Sequence, residues 1–282
     1  MPELPEVEVT ARALQQAITG WSLRSVWVSG KKLRHPFPRG AIDQLRGVPL
    51  MGIGRRAKYV LMEFPSGYLA VHLGMSGSML CAHGKAPPAK LHDHVVMEFE
   101  SPSSEVRTMI YHDPRRFGSF QWCDRQALHG TEIGAVLGAG AAGIEPLGQS
   151  FNGAWLFEHS RGRRTPIKQW LMDGSVVVGV GNIYACEALF DAGIHPSRKA
   201  GSISRPRYER LAVDIKKILL QAIEGGGSTI QNFQGPDGTA GRYGQLHRVY
   251  GRSGQPCPRC GRAIRRSIMG QRSTFFCHGC QR

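Results

Sequence analysis

Residues 257–280 read CPRCGRAIRRSIMGQRSTFFCHGC. Cys257 and Cys260 form one C-x2-C knuckle, Cys277 and Cys280 form a second, and 16 residues separate them. Zinc ribbons use this pattern, with about 15–20 residues between knuckles. Each knuckle puts two thiolates on one tight turn. Four sulfurs complete a tetrahedron with no open position, so the expected cofactor is one structural Zn2+. Two disulfides are the other use of four cysteines, and an iron–sulfur centre is a third. An odd total of seven cysteines, and an opening MPELPEVEV without a basic or apolar signal core, point to a metal site in a reducing compartment. Thr274-Phe275-Phe276 reads as a strand and Gln271-Arg272 as a turn, while Arg262, Arg265, Arg266 and Arg272 make the ribbon basic. Cys81, Cys123 and Cys186 stand alone and read as buried small residues.

That basic ribbon ends a basic chain. The 282 residues hold 36 Lys+Arg against 21 Asp+Glu, a net charge of +15. A chain this basic fits a partner rich in phosphate, hence nucleic acid. The alternative is a basic surface with no particular partner. Basic residues cluster at 55–58, 115–116, 161–164 and 262–272, so a basic face has to be assembled in three dimensions. At 41% hydrophobic and 20% charged the composition is globular, which argues against disorder or coiled coil. No apolar run reaches the roughly 18 residues of a membrane span.

Leu4, Val7, Ala11, Leu14 and Ile18 make the apolar stripe of an amphipathic helix, with Pro5 in its first turn and Gly20 past its end. From Trp21 to about Trp122 short β-rich runs alternate with polar turns. Tyr59–Phe64 and Tyr68–Leu73 flank Pro65-Ser66-Gly67, and His94–Glu100 and Val106–His112 flank another turn. This half reads as an antiparallel sandwich or barrel. Residues 131–150, rich in Gly and Ala, read as a linker. Helical stretches follow at about 151–160, 166–173, 182–192 and 204–224, and Gly225-Gly226-Gly227 ends the last. The stretch 234–245 lacks periodicity and reads as a long functional loop.

The amino terminus has chemistry of its own. Removal of Met1 leaves the secondary amine of Pro2. A generic α-amino group, with a pKa of ~7.7–8.0, is neutral in roughly 10–20% of molecules at pH 7, a few hundredfold more than lysine. Such an amine can attack an aldehyde-like sugar carbon. Glu3 and Glu6 lie within a turn of it and can move protons, although acids also favour a helix's first turn on electrostatic grounds alone.

PELPEVE (2–8), GRRAKY (54–59), HLGMSG (72–77), DPRRFG (113–118), VVGVGNIYACEALF (177–190), AGIHP (192–196) and the four-cysteine ribbon stand in this order along the whole chain. The set resembles the bacterial formamidopyrimidine-DNA glycosylases of base-excision repair. The resemblance implies an α+β fold: a leading helix with an antiparallel β-sandwich, a helical domain containing a helix–two-turn–helix, and a zinc ribbon. It implies excision of oxidised purines such as 8-oxoguanine from double-stranded DNA, then nicking by β,δ-elimination. Pro2 matches the Schiff-base amine, Glu3 the protonating acid and Glu6 a second acid. Lys58 matches the elimination lysine and Arg272 the ribbon's phosphate-gripping arginine. Met75, Arg115 and Phe117 match the trio that fills the gap left by the flipped base, with Arg115 on the orphaned cytosine. His92, Asn182, Lys168 and Arg163 match backbone-binding positions. Arg163 lies in an arginine-rich stretch where the family often carries lysines, and His247 stands where it is commonly apolar.

Several side chains have plainer readings. Lys58 fits a solvated strand, and Met75 and Phe117 fit a core, although their glycine-flanked motifs favour exposed turns. His72 fits a buried histidine or a phosphate ligand. Asn182 fits a helix cap. Arg242 and Tyr243 are candidates to touch the flipped base. The expected domains are 1–130 catalytic, 131–150 linker, 151–226 helical, 227–256 capping loop and connector, and 257–282 ribbon. A cytoplasmic, nucleoid-associated monomer is expected. The rival enzyme class is the endonuclease VIII type, which takes oxidised pyrimidines. The rivals without chemistry are a DNA-binding zinc-ribbon protein and an RNA-binding one.

Overall fold

The computed structural model describes residues 1–128, 133–228 and 241–282. The chain divides into two compact units, Met1–Val136 with Gly225–Arg242, and Leu137–Glu224 with Tyr243–Arg282.

In the first unit, helix α1 (Leu4–Ile18) buries the whole predicted stripe of Leu4, Val7, Ala11, Leu14 and Ile18. Past its end Gly20 adopts φ +82°, a left-handed conformation that glycine enters without steric cost. Two antiparallel sheets follow. One has the order β1 (Ser22–Val28), β6 (Asp93–Glu100), β7 (Val106–His112), β5 (Ser78–His83). The other has the order β2 (Gly52–Arg56), β3 (Tyr59–Phe64), β4 (Gly67–His72), β8 (Ser119–Asp124). Met62, Phe64, Met97, Phe99, Met109, Tyr111 and Phe120 fill the core with the stripe of α1. The fold is thus the α+β arrangement with an antiparallel sandwich. Small helices α2 (Arg39–Asp43), α3 (Arg125–Leu128) and α4 (Ile133–Val136) complete the unit.

The second unit opens with α5 (Ala139–Ala142), α6 (Gly153–Ser160), α7 (Ile167–Leu171), α8 (Asn182–Asp191) and α9 (Arg205–Glu224). Among the described residues, the stretch expected as a linker is built into structure. Ile144 pairs with Val177 in a parallel bridge, and the Gly143 N–H donates to the Gly174 carbonyl at 2.9 Å. The glycines that look like linker signals permit this approach, since a Cβ at Gly143 would lie 2.6 Å from Val176 backbone. The ribbon hairpin pairs β9 (Arg265–Met269) with β10 (Arg272–Phe276). Cys186 of α8 and Cys123 are buried as expected, and Cys81 is half-buried. Among the described residues no helix is long and apolar enough to cross a membrane.

Candidate active site and metal centre

Pro2 and Glu3 are buried ahead of α1, whereas Met1 is exposed. Glu6 closes this end of the helix: its Oε2 accepts the Glu3 N–H at 2.8 Å. Its Oε1 accepts the Ser228 N–H at 2.7 Å. Both oxygens of Glu6 thus hold backbone, one strand of it 222 residues away in sequence. The plain first-turn role applies to Glu6, joined by a tether for the segment that leads into 229–240. The expected long loop at 234–245 falls mostly outside the described residues.

Lys58 is half-buried in the two-residue turn between β2 and β3, where Arg56 pairs with Tyr59. Ala57 enters that turn with φ +53° and is wholly buried. His72, at the end of β4, packs edge-on against Tyr59 with ring centroids 4.9 Å apart. Its Nδ1 accepts the Gly74 N–H at 2.9 Å, so the ring proton belongs on Nε2. Burial, then the charges of Lys58 and Arg34, pull the imidazole down to about 4, and it is neutral at pH 7.

Met75, Arg115 and Phe117 occupy two neighbouring turns. Met75 and Phe117 are 41% and 44% exposed, uncommon for such apolar side chains and contrary to a core role. The Arg115 guanidinium lies over the Phe117 ring, 4.8 Å from its centroid. The turns touch: a Cβ on Gly74, whose φ is +69°, would meet the Phe117 carbonyl carbon at 2.5 Å. The wholly buried Asp113 organises both. Its Oδ1 accepts the Ser76 hydroxyl at 2.6 Å and the Arg115 N–H at 3.2 Å. Its Oδ2 accepts Tyr111 Oη–H and the Gly118 N–H, each at 3.0 Å. The Asp113 N–H donates to the carbonyl of His92 at 2.9 Å, and the His92 ring meets His112 edge-on. The DPRRFG motif carries no assigned role for Asp113. Asp before Pro in a turn motif is the signal for it.

In the second unit Asn182, Lys168 and Arg272 meet at strand β10. Asn182 is the first residue of α8 and does not cap it, since Gly181 holds that position. Its Oδ1 accepts Lys168 Nζ at 2.6 Å, and its Nδ2 donates to the Ser273 carbonyl at 2.9 Å. Lys168, expected beside the DNA backbone, is 1% exposed. Its ammonium also donates to Thr274 Oγ1 at 2.6 Å. The two side chains brace the strand that begins at the exposed Arg272, directly after the positive-φ turn Gly270-Gln271. Arg163 is exposed in the 161–165 turn. Tyr243, expected near the flipped base, is buried against Tyr184 and His247, and burial raises its hydroxyl well above the ordinary phenol value. Glu187, which sequence reading also missed, accepts the backbone N–H groups of Arg248, Val249 and Tyr250 at 2.9, 3.0 and 2.8 Å. Burial nevertheless holds its carboxyl above the ordinary range.

The sulfurs of Cys257, Cys260, Cys277 and Cys280 all lie within 4.8 Å of one another. Cys260 and Cys277 are 3.5 Å apart and Cys257 and Cys280 3.9 Å. Zinc–sulfur bonds of ~2.3 Å in a tetrahedron put sulfurs about 3.8 Å apart, so the four residues fit one Zn2+. Four thiolates fill its coordination, and the ion would lock the ribbon that carries Arg272.

Comparison with known proteins matches three family models along the chain. They are the formamidopyrimidine-DNA glycosylase N-terminal domain (residues 1–120), the H2TH domain of the same glycosylases (142–234) and the zinc finger found in FPG and IleRS (254–282). The formamidopyrimidine-DNA glycosylase of Serratia proteamaculans is 47% identical over 282 residues, covering 100% of both chains. That of Alkalilimnicola ehrlichii is 45% identical over 287 residues, again covering both completely. Among solved structures, the MutM (Fpg) protein of Thermus thermophilus matches with TM-score 0.83 and 36% identity, covering 99% of this chain and 98% of that one. A Lactococcus lactis FPG mutant bound to Fapy-dG-containing DNA matches with TM-score 0.86 and 31% identity over 100% of both chains. With its fold, its metal centre and its full length all matched, the chain belongs to the formamidopyrimidine-DNA glycosylase family.

Proposed function

We propose that the protein is a bifunctional DNA glycosylase and abasic-site lyase that excises oxidised purines, 8-oxoguanine and formamidopyrimidines, from double-stranded DNA. The observation that carries this reading is the amino terminus: an exposed Met1 precedes a buried Pro2 and Glu3 at the head of α1. Removing one residue yields a secondary amine beside a buried carboxyl group. The proline nitrogen attacks C1′, and the C1′–base bond breaks as the base departs. Glu3 supplies a proton to the sugar ring oxygen or leaving group, and ring opening gives the Schiff base. Loss of a C2′ proton expels the 3′ phosphate, and a second elimination expels the 5′ phosphate. Lys58 serves these proton transfers.

The exposed Met75 and Phe117, beside an Arg115 stacked on the phenyl ring, support a role in filling the gap left by the flipped base. An intercalating apolar wedge offsets lost base stacking, and an arginine can bond the orphaned base. Arg272, Arg163, His92, His72 and Asn182 hold phosphates. Lys168 acts behind them by orienting Asn182. A monomer in the cytoplasm, associated with the nucleoid, belongs to the same proposal, since the DNA substrate is there and asymmetric damage needs no two-fold reader.

A lesion panel tests it. Single-turnover excision should be faster from duplexes carrying 8-oxoguanine opposite cytosine than from those carrying oxidised pyrimidines. The reverse order would assign the protein to the endonuclease VIII class.

A further inference from the structure

The turn that presents Lys58 is braced from beneath. Arg55, near the end of β2, keeps 8% of its side chain exposed and donates from Nε to Glu8 Oε2 at 2.8 Å. Its Nη1 donates to the carbonyl of Ala57 at 2.9 Å. Glu8 lies on α1 and also accepts Arg12 Nε at 2.7 Å. One guanidinium therefore joins the helix headed by Pro2 and Glu3 to the backbone of the turn carrying Lys58. Ala57 needs such a brace: its φ of +53° is left-handed, a conformation disfavoured for a residue with a Cβ. Burial raises the Glu8 carboxyl, but the hydrogen bonds and charges of Arg55 and Arg12 outweigh it and leave the group below its ordinary value.

We propose that Glu8 and Arg55 are positioning residues for strand nicking, setting the Lys58 amine relative to the Pro2 nitrogen without themselves touching DNA. The proposal rests on the reading of Lys58 as the elimination residue. A lysine on a two-residue turn has a flexible stem, so its useful geometry depends on the turn. A displacement of about 1 Å in a reacting group can slow a reaction about a hundredfold.

Glu8→Gln, Arg55→Lys and Lys58→Ala are compared as full-length, zinc-loaded proteins lacking Met1, on duplex DNA with a preformed abasic site. Arg55→Lys keeps the charge but not the fork that reaches both Glu8 and Ala57, which separates loss of the brace from failure to fold. Nicking should fall about tenfold or more in Glu8→Gln and Arg55→Lys, while the Kd for an uncleavable abasic analogue stays within about twofold. Adding Glu8→Gln to Lys58→Ala should slow nicking no further, because the brace acts through Lys58. Additive losses in that double variant, or wild-type nicking in both brace variants when Lys58→Ala is impaired, would overturn the positioning role alone. Wild-type nicking by Lys58→Ala would overturn the reading of Lys58 and the proposal with it.

Discussion

The buried carboxylate of Asp113 accepts the hydroxyl of Ser76 at 2.6 Å, and this bond ties the turn carrying Met75 to the turn carrying Arg115 and Phe117. The same carboxylate collects three further donors, so it is a keystone for both turns. Ser76→Ala removes this bond and the longer one from the Arg115 N–H to Ser76 Oγ at 3.3 Å, at a cost of about 1–2 kcal/mol. It should weaken the preference for cytosine opposite the lesion several-fold while leaving the zinc content alone. Asp113→Ala strands four donors and should cost 3 kcal/mol or more, roughly. Excision rates opposite cytosine and adenine, with urea melts, check both. An unchanged opposite-base ratio in Ser76→Ala would separate the two turns functionally.

Lys168 and Arg163 make opposite predictions although both are basic. Arg163 is exposed and Lys168 is spent inside the protein. Arg163→Ala should reduce the slope of log K against log salt by about one, as expected for one lost phosphate contact. Lys168→Met should leave that slope unchanged and lower affinity through a misoriented Asn182. Binding titrations between low and moderate salt measure this. A reduced slope for Lys168→Met would place its ammonium on DNA after all.

Cys260→Ser removes one of four sulfurs. Metal analysis should show the zinc lost, and DNA affinity should drop at least tenfold as the strand bearing Arg272 loosens. Full zinc occupancy with unchanged affinity would argue against a structural metal.

Acid should destabilise the fold through its buried neutral histidines. Burial pulls His247 down to about 4, between the rings of Tyr243 and Tyr250. Its folded pKa lies below the unfolded value of ~6.5, so the unfolded chain binds the proton first. Stability is full above pH 6.5, roughly, and declines as pH falls toward the folded value, by up to about 3 kcal/mol. His247→Phe should flatten the urea midpoint against pH over that window. An equally steep decline in the variant would shift the cause to other groups.

How much of this was legible in the sequence depends on the range of the contacts. The stripe of α1, the hairpin turns and the two cysteine knuckles are local patterns, and their residues sit as the spacing requires. The exposure of Met75 and Phe117 follows from flanking glycines, also local. The burial of Lys168 is not legible, because its partners Asn182 and Thr274 lie 14 and 106 residues away. Buried and exposed lysines look alike in a motif. Asn182 read as a cap because caps are commonly Asn, yet its amide is committed to β10. The 131–150 segment read as a linker because glycine signals both loose chain and close backbone packing. Glu8 closes PELPEVE and Arg55 lies within GRRAKY, yet neither motif says that the two pair, and only the folded hairpin shows that they meet.

The proposed mechanism makes the Pro2 amine the nucleophile. Borohydride trapping on a duplex with one 8-oxoguanine opposite cytosine tests it most directly, using protein whose intact mass proves Met1 absent. The expected product is a covalent protein–DNA adduct that maps to Pro2 and does not form on undamaged DNA. Processed, zinc-loaded protein that excises the base but traps no adduct, or traps one at a lysine, would contradict it.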